Sequence, residues 1–433
     1  MRKMIYRWMA HLCVLVVVGV VSACGVDRWP YYAEQTETDT WMYNVMSEQY
    51  LWFESLPSYK SVNPFLNPAD FLNKIKYQTD SFSFVDTLES VPLPTYGFDY
   101  VLSRSLDNDT AYYALITHVV PNSPASEVGL ERGQWVMKVN GEYMSAKRAD
   151  GLLTGKDAVK LTMGMYRQIS PAGENEGGET GTPIYRVVEA GEYALGAARS
   201  LTESPLHHAS IVTLSTSEKV GYLVYNSFTS GTIAEPNKYD EALRSQMNEF
   251  AAAGVKTLIL DLRRNHRGES KSVQLLATLL APASYLGQPM GSLVYNKKQA
   301  ASQEALSFDA NLIGGGTNLN LQKLVVLTSS ETAGPSEVLM MFLNGKVPHV
   351  MAVGQATKGQ NVLTKQFVNP QGTWSLNPVV CMAFNSEGAT YTTGFSPTVS
   401  VANANTDYLN YLPYGNPQES LLSAAIKLLE TGQ

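Results

Sequence analysis

Three cysteines, six histidines and 16 per cent charged residues are little for a chain of 433 residues. Cysteine this scarce excludes a fold stapled by disulfides, so stability must come from a hydrophobic core that a chain of this length can supply. His207-His208 has no third ligand at a recognised spacing, so neither a metal nor another cofactor is expected. Lysine and arginine form no run, and the net charge is −7, which argues against nucleic acid as a partner. The apolar stretch Leu12 to Val21 is too short for a confident membrane span, and no internal repeat is evident.

That stretch has a different reading. Arg2, Lys3 and Arg7 precede it, and Val21-Ser22-Ala23-Cys24 follows. A basic start, a short apolar core and small residues before a cysteine read as a bacterial lipoprotein signal over 1–23, with a signal anchor as the alternative. Cys24 then becomes the lipidated N-terminus, and 24–38 a tether. The partner implied is a membrane surface, and the expected address is the bacterial envelope, at the outer membrane facing the periplasm. Gly25-Val26-Asp27-Arg28 lacks an acidic cluster that would cue display on the cell surface. Cys13 leaves with the leader, so Cys381 is the remaining thiol, expected in a buried strand.

The densest signal lies near the C-terminal third. Leu324-Val325-Val326-Leu327 reads as a buried strand, Thr332-Ala333-Gly334-Pro335-Ser336-Glu337-Val338 as a turn, and Val338 to Leu343 as a helix. A serine there either caps the helix or sits where free backbone N–H groups can serve a nucleophile. Two further turns share this pattern. Thr257 to Leu260 runs into Asp261-Leu262-Arg263-Arg264-Asn265-His266-Arg267-Gly268, and Val353-Gly354 into Gln355-Ala356-Thr357-Lys358-Gly359-Gln360. Strand, polar turn and helix form one unit of an α/β layer, and sites gather at the C-terminal ends of its strands. Asp261 reads as structural, accepting N–H groups of its own turn, with Arg263 and Asn265 bracing it.

Together these motifs resemble the C-terminal processing (tail-specific) serine protease family, in the form found in Bacteroidetes lipoproteins. Gly334-Pro335-Ser336-Glu337 matches its serine turn, and Asp261 to Gly268 matches an Asp-Leu-Arg-x-Asn-x-Gly-Gly element with Arg267 in place of the first glycine. Trp41-Met42-Tyr43, Tyr50-Leu51-Trp52-Phe53, Gly221 to Phe228 and Gly394-Phe395-Ser396-Pro397 extend the likeness along the chain. The resemblance implies an α/β fold with a crotonase/ClpP-like protease core and a Ser–Lys dyad, Ser336 as nucleophile and Lys358 as base. It also implies an oxyanion region around Gly268 and Glu337. One departure matters. The family's Thr-x-Gly-Lys stands here as Thr357-Lys358-Gly359-Gln360, so Gln360 holds the usual lysine position. Either Lys358 reaches Ser336 from two residues earlier, on the same face of an extended chain, or the base is missing. His266 and His349 offer a Ser–His alternative with no partner legible from spacing.

Residues 39–92 read as a small helical cap, with Asn67 capping a helix that begins at Pro68. Residues 93–200 resemble an inserted PDZ domain, mixed β with short helices. Ser123-Pro124-Ala125, Gly129-Leu130, Arg132-Gly133 and Val139-Asn140-Gly141 occur in order. There Tyr96-Gly97-Phe98 is the counterpart of the loop that holds a peptide carboxylate, unless Gly97 is an ordinary turn glycine. Residues 168–183 read as a flexible excursion and 204–433 as the protease core. The function expected is a lipid-anchored serine endopeptidase cleaving proteins or peptides with free C-termini. The alternative is an impaired relative that binds peptide tails or an envelope partner without cutting. An acyl-CoA enzyme on a related fold conflicts with an envelope address and a peptide-binding domain.

Overall fold

The computed structural model describes residues 29–63, 65–88, 93–170 and 183–432, with 29–35 by backbone only. The signal region, Cys24 and most of the excursion expected at 168–183 lie outside the described residues. No helix among the described residues is long and apolar enough to cross a membrane.

The chain packs as two units. One holds the described residues up to Leu88 together with 296–300 and 364–380. Its helices are Trp29–Gln49 and Pro68–Ile75, which pack on each other. Met42, Met46, Phe71, Leu72 and Ile75 are buried, as their helical spacing requires. Asn67 Oδ1 accepts the Asp70 N–H at 2.9 Å, and Pro68 is the first helical residue. The unit is less helical than expected over 39–92. Phe84–Thr87 is a strand, antiparallel to Trp374–Asn377, which pairs in turn with Phe367–Val368. Its partner lies far along the sequence, so no local pattern could announce the pairing.

The larger unit carries the remaining described residues. Its central sheet runs in the order Val399–Ser400, His349–Gly354, Lys323–Thr328, Thr257–Asp261, Lys219–Tyr225, Leu206–Thr213. The last pair is antiparallel and the others parallel. Parallel neighbours need crossover connections, and Ser270–Leu280 and Pro335–Leu343 are helices in two of these crossovers. Thr257–Asp261 is buried throughout, as befits a strand covered on both faces. On one face Leu421, Leu422, Ala425 and Leu428 of the C-terminal helix Ser420–Thr431 pack on Tyr222, Ile259, Val325 and Val353. Cys381 is buried in the strand Val379–Asn385.

A second, antiparallel sheet of this unit is ordered Phe98–Arg104, Tyr112–Val119, Trp135–Val139, Val159–Ser170, Ile184–Leu195, with Glu142–Tyr143 also paired to Trp135–Val139. Asn140 and Gly141 have φ of 50° and 82°, the left-handed values a tight hairpin turn needs. The excursion is shorter than 168–183, because Gln168 and Ser170 pair with Tyr185 and Ile184. Tyr113, Leu115 and Trp135 of this sheet share a buried cluster with Tyr411.

Candidate active site

Three turns at the C-terminal ends of parallel strands meet around Ser336. The serine is the second residue of the helix Pro335–Leu343 and is fully buried. It does not cap that helix. Gly334 holds the cap position at φ 52°, where a side chain would be strained. Ser336 Oγ donates instead to the carbonyl of Asn265, at 2.9 Å, in the turn after Thr257–Asp261. The same carbonyl accepts Ala333 N–H at 3.3 Å. Asn265 is itself fixed, its Nδ2 donating to Tyr225 O at 2.8 Å. Thr332 Oγ1 donates to Leu262 O and Ser329 Oγ to Arg263 O, so the first two turns are laced together.

Glu337 ties in the third turn. Its buried carboxylate accepts Thr357 Oγ1 at 2.5 Å, Gly359 N–H at 2.6 Å, Gln360 N–H at 2.7 Å and Gly334 N–H at 3.1 Å. A carboxylate offers about four lone-pair positions, and these four donors fill them. Gly394 and Phe395 brace the turn from behind. Thr357 N–H donates to Phe395 O at 3.1 Å, and a β-carbon on Gly394 would lie 1.8 Å from Thr357 O. The otherwise unexplained Gly394-Phe395 motif is therefore the backing of the 357–360 turn. Replacing Glu337 with glutamine leaves donors facing an NH2 group that cannot accept them. Unpaired buried donors cost about 1–3 kcal/mol each, so calorimetry on Glu337→Gln should show a stability loss of roughly 2–4 kcal/mol.

Lys358 is exposed, and its backbone N–H donates to Thr332 O at 3.0 Å. Its ammonium makes no hydrogen bond or ion pair among the described residues, and Ser336 is not its partner. Its charge is felt by exposed His266, whose pKa is lowered by partial desolvation and then by Arg267, with Lys358 adding to the effect. Gln360 is the residue beside the serine turn. A β-carbon on Gly334 would come within 3.1 Å of its Nε2, which donates to Val362 O at 3.0 Å. The backbone carbonyl of Gln360 accepts the Tyr391 hydroxyl at 2.6 Å. His349 begins its strand, exposed, and His266 Nδ1 lies 3.2 Å from Arg264 O. Neither histidine is a hydrogen-bond partner of Ser336. Gly268 has φ 136°, and a β-carbon there would lie 2.2 Å from Phe228 O, so only glycine fits beside Phe228.

Asp261 and Arg263 brace the first turn from inside the protein. Asp261 accepts Arg263 N–H at 3.2 Å and Arg263 Nε at 2.9 Å, and Tyr222 OH donates to it at 2.9 Å. Arg263 also grips Glu419, with Nη1 at 2.7 Å and Nη2 at 3.1 Å. Sequence reasoning reached Asp261 and Arg263 but missed Glu419, Thr357 and Tyr391. A glutamate just before the apolar run Leu421-Leu422 marks a helix start, which is the only trace Glu419 leaves in the sequence. In the antiparallel sheet, Tyr96 and Phe98 are buried, and Gly97 has φ 82°. A β-carbon on Gly97 would lie 2.1 Å from Ser123 Cβ, and its N–H donates to Thr95 Oγ1 at 3.1 Å.

Ser336 thus has the strand–turn–helix setting of a nucleophile, with its hydroxyl hydrogen-bonded to a backbone carbonyl rather than to a base. Residues 219–401 match the family model for peptidase family S41, and 37–84 match its N-terminal domain. An S41 protease structure from Bacteroides fragilis is 39% identical, with a TM-score of 0.84 over 91% of this chain and 97% of that one. The chain belongs to peptidase family S41. The resemblance to C-terminal processing proteases read from the sequence is borne out, and proteins or peptides are the substrate class of this serine peptidase family. The photosystem II D1 C-terminal processing protease is 18% identical, with a TM-score of 0.45 over 85% of this chain and 93% of that one. Mature CPAF complexed with lactacystin is 11% identical, with a TM-score of 0.44 over 92% and 99%. No curated protein matches the chain.

Proposed function

We propose that this S41 peptidase is a lipid-anchored endopeptidase of the bacterial envelope that cleaves substrates presented by their C-termini. Ser336 attacks the scissile carbonyl, Lys358 takes its proton, and backbone N–H groups near Ser336 and Gly268 hold the oxyanion. The observation that carries this reading is the Glu337 carboxylate. It binds the serine turn to the turn bearing Lys358, so the nucleophile and the candidate base belong to one braced element. For reaction, the Ser336 hydroxyl must leave Asn265 O, and the unpartnered lysine must turn inward and lose water to become a base near neutral pH.

Tail docking falls to the 93–200 domain. Phe98–Arg104 is an edge strand, as strand addition requires. The turn Tyr96-Gly97-Phe98 at its start is the proposed carboxylate loop, and it must exchange its Gly97–Thr95 hydrogen bond for the peptide carboxylate. Cys24, lipidated after removal of 1–23, tethers the enzyme at the outer membrane on the periplasmic side.

A second reading is favoured by one specific observation. Ser336 is sealed, and Gln360, not a lysine, lies against its turn. On that reading the chain binds tails without cutting them. Fluorophosphonate labelling and cleavage of a tail peptide, run on wild type, Lys358→Ala and Gln360→Lys, separate the two. Wild-type labelling and cleavage that vanish in Lys358→Ala support the displaced dyad. A silent wild type that binds a free-carboxylate peptide but not its amide, and gains cleavage in Gln360→Lys, establishes the binding module.

A further inference from the structure

The sequence offers His207-His208 without a third ligand, but the fold supplies one. His118, near the end of the strand Tyr112–Val119, and Glu203, in the connection between the two sheets, come together with His207 in the strand Leu206–Thr213. One donor atom from each lies within 4.8 Å of the others. His118 Nε2 is 2.6 Å from Glu203 Oε1, and His207 Nδ1 is 3.6 Å from the same oxygen. The two imidazole rings are 4.2 Å apart.

Two features set this group apart from an ordinary buried ion pair. His207 is nine-tenths buried, and its Nδ1 points at the carboxylate from beyond hydrogen-bond reach, without a partner. The Nδ1 of His118, a side chain 2% exposed, is also unpartnered. One carboxylate therefore gathers two rings, and neither His118 Nδ1 nor His207 Nδ1 has a hydrogen-bond partner. We infer that His118, Glu203 and His207 form a site for a divalent transition ion of the zinc class, which staples the antiparallel sheet to the central sheet within the larger unit.

The chemistry of the donor set fits. Two imidazole nitrogens and one carboxylate oxygen, with water in the fourth place, are a recognised zinc set. Metal–ligand distances of about 2.0–2.2 Å place tetrahedral donors roughly 3.3 Å apart. The two histidine–carboxylate separations of 2.6 and 3.6 Å bracket that value, and all three donor atoms lie within 4.8 Å of one another, so side-chain adjustment brings them round an ion. Asn226 Nδ2 donates to Glu203 Oε1 at 3.1 Å and orients the carboxylate, as outer-shell partners of metal ligands do. A cavity of about 370 Å³ reaches His207 and is lined also by His208, Arg132 and Tyr414.

The test is zinc titration of the purified protein after chelator treatment, with calorimetry for affinity and cobalt(II) substitution for geometry. Expected are one bound equivalent, a tetrahedral cobalt spectrum and a zinc-dependent rise in melting temperature. His118→Ala and His207→Ala should each weaken binding at least about tenfold. Glu203→Gln keeps the shape of a half-exposed side chain and should do the same without unfolding the protein, and His208→Ala should bind as wild type does. No binding by a folded wild type, or equal binding by wild type and Glu203→Gln, overturns the site and leaves a His–Glu ion pair. None of these readouts uses peptidase activity, so they stand apart from the fate of the dyad.

Discussion

A Ser336→Ala variant should fold normally and lose tail-peptide cleavage almost completely. The structural side follows from the hydrogen bonds around the residue. Ser336 Oγ makes one bond, to Asn265 O, and that carbonyl keeps the Ala333 N–H. Losing one hydrogen bond without stranding a donor costs about 1 kcal/mol, a melting shift of only about one degree in a chain of this size. The catalytic side is far larger. Without a nucleophile no acyl-enzyme forms, and losing a residue that acts as part of a catalytic unit lowers kcat/KM by roughly 10^4-fold or more. Kinetics on wild type and variant, with melting curves recorded on the same samples, check both halves. Undiminished cleavage by Ser336→Ala would remove Ser336 from the mechanism.

Much of the scaffold that frames this site was legible in the sequence. The strands Lys323–Thr328 and Thr257–Asp261 are buried apolar runs of strand length, and the helix Pro335–Leu343 opens on proline after glycine, so each declares itself locally. What could not be read was which side chain of Thr357-Lys358-Gly359-Gln360 turns toward the serine. Residues two apart share a face only if the chain is extended, and Gly359 at φ 87° breaks that rule. The turn's path is set instead by Glu337 and by Gly394-Phe395, the latter more than thirty residues downstream. The His118–Glu203–His207 group was hidden for the same reason. Its members are spread over some ninety residues of sequence, and only the docking of one sheet against another joins them.

The largest loss of stability is expected from Arg263→Ala. Arg263, Asp261, Glu419 and Arg132 form a buried set with two charges of each sign. Burial opposes the guanidinium charge of Arg263, but Asp261 and Glu419 outweigh it and raise its pKa well above the ordinary value. Arg132 adds a hydrogen bond to Leu412 O and lies over the Tyr411 ring at 3.7 Å, so the set also locks the antiparallel sheet to the C-terminal segment. Removing Arg263 leaves Asp261 and Glu419 with one guanidinium between them. Stripping one partner from a buried pair costs about 3–5 kcal/mol, because a charge is left uncompensated in low dielectric. Denaturant titration should show that loss, and the Ser336 turn should loosen with it, since Arg263 O holds Ser329 Oγ. The set also makes stability depend on pH in a definite direction. Burial alone would raise the Glu419 pKa, yet Arg263, Arg132 and helix N–H groups bring it from 4.5 down to about 2. A carboxylate depressed in the folded state contributes its full stabilisation above its unfolded pKa and loses it as pH falls through the folded value. Wild-type stability should therefore hold down to about pH 4.5 and decline from there toward pH 2. In Glu419→Gln that contribution to the acid slope should be absent and stability at neutral pH lower from the start. An unchanged acid slope in Glu419→Gln would mean that other carboxylates govern acid unfolding.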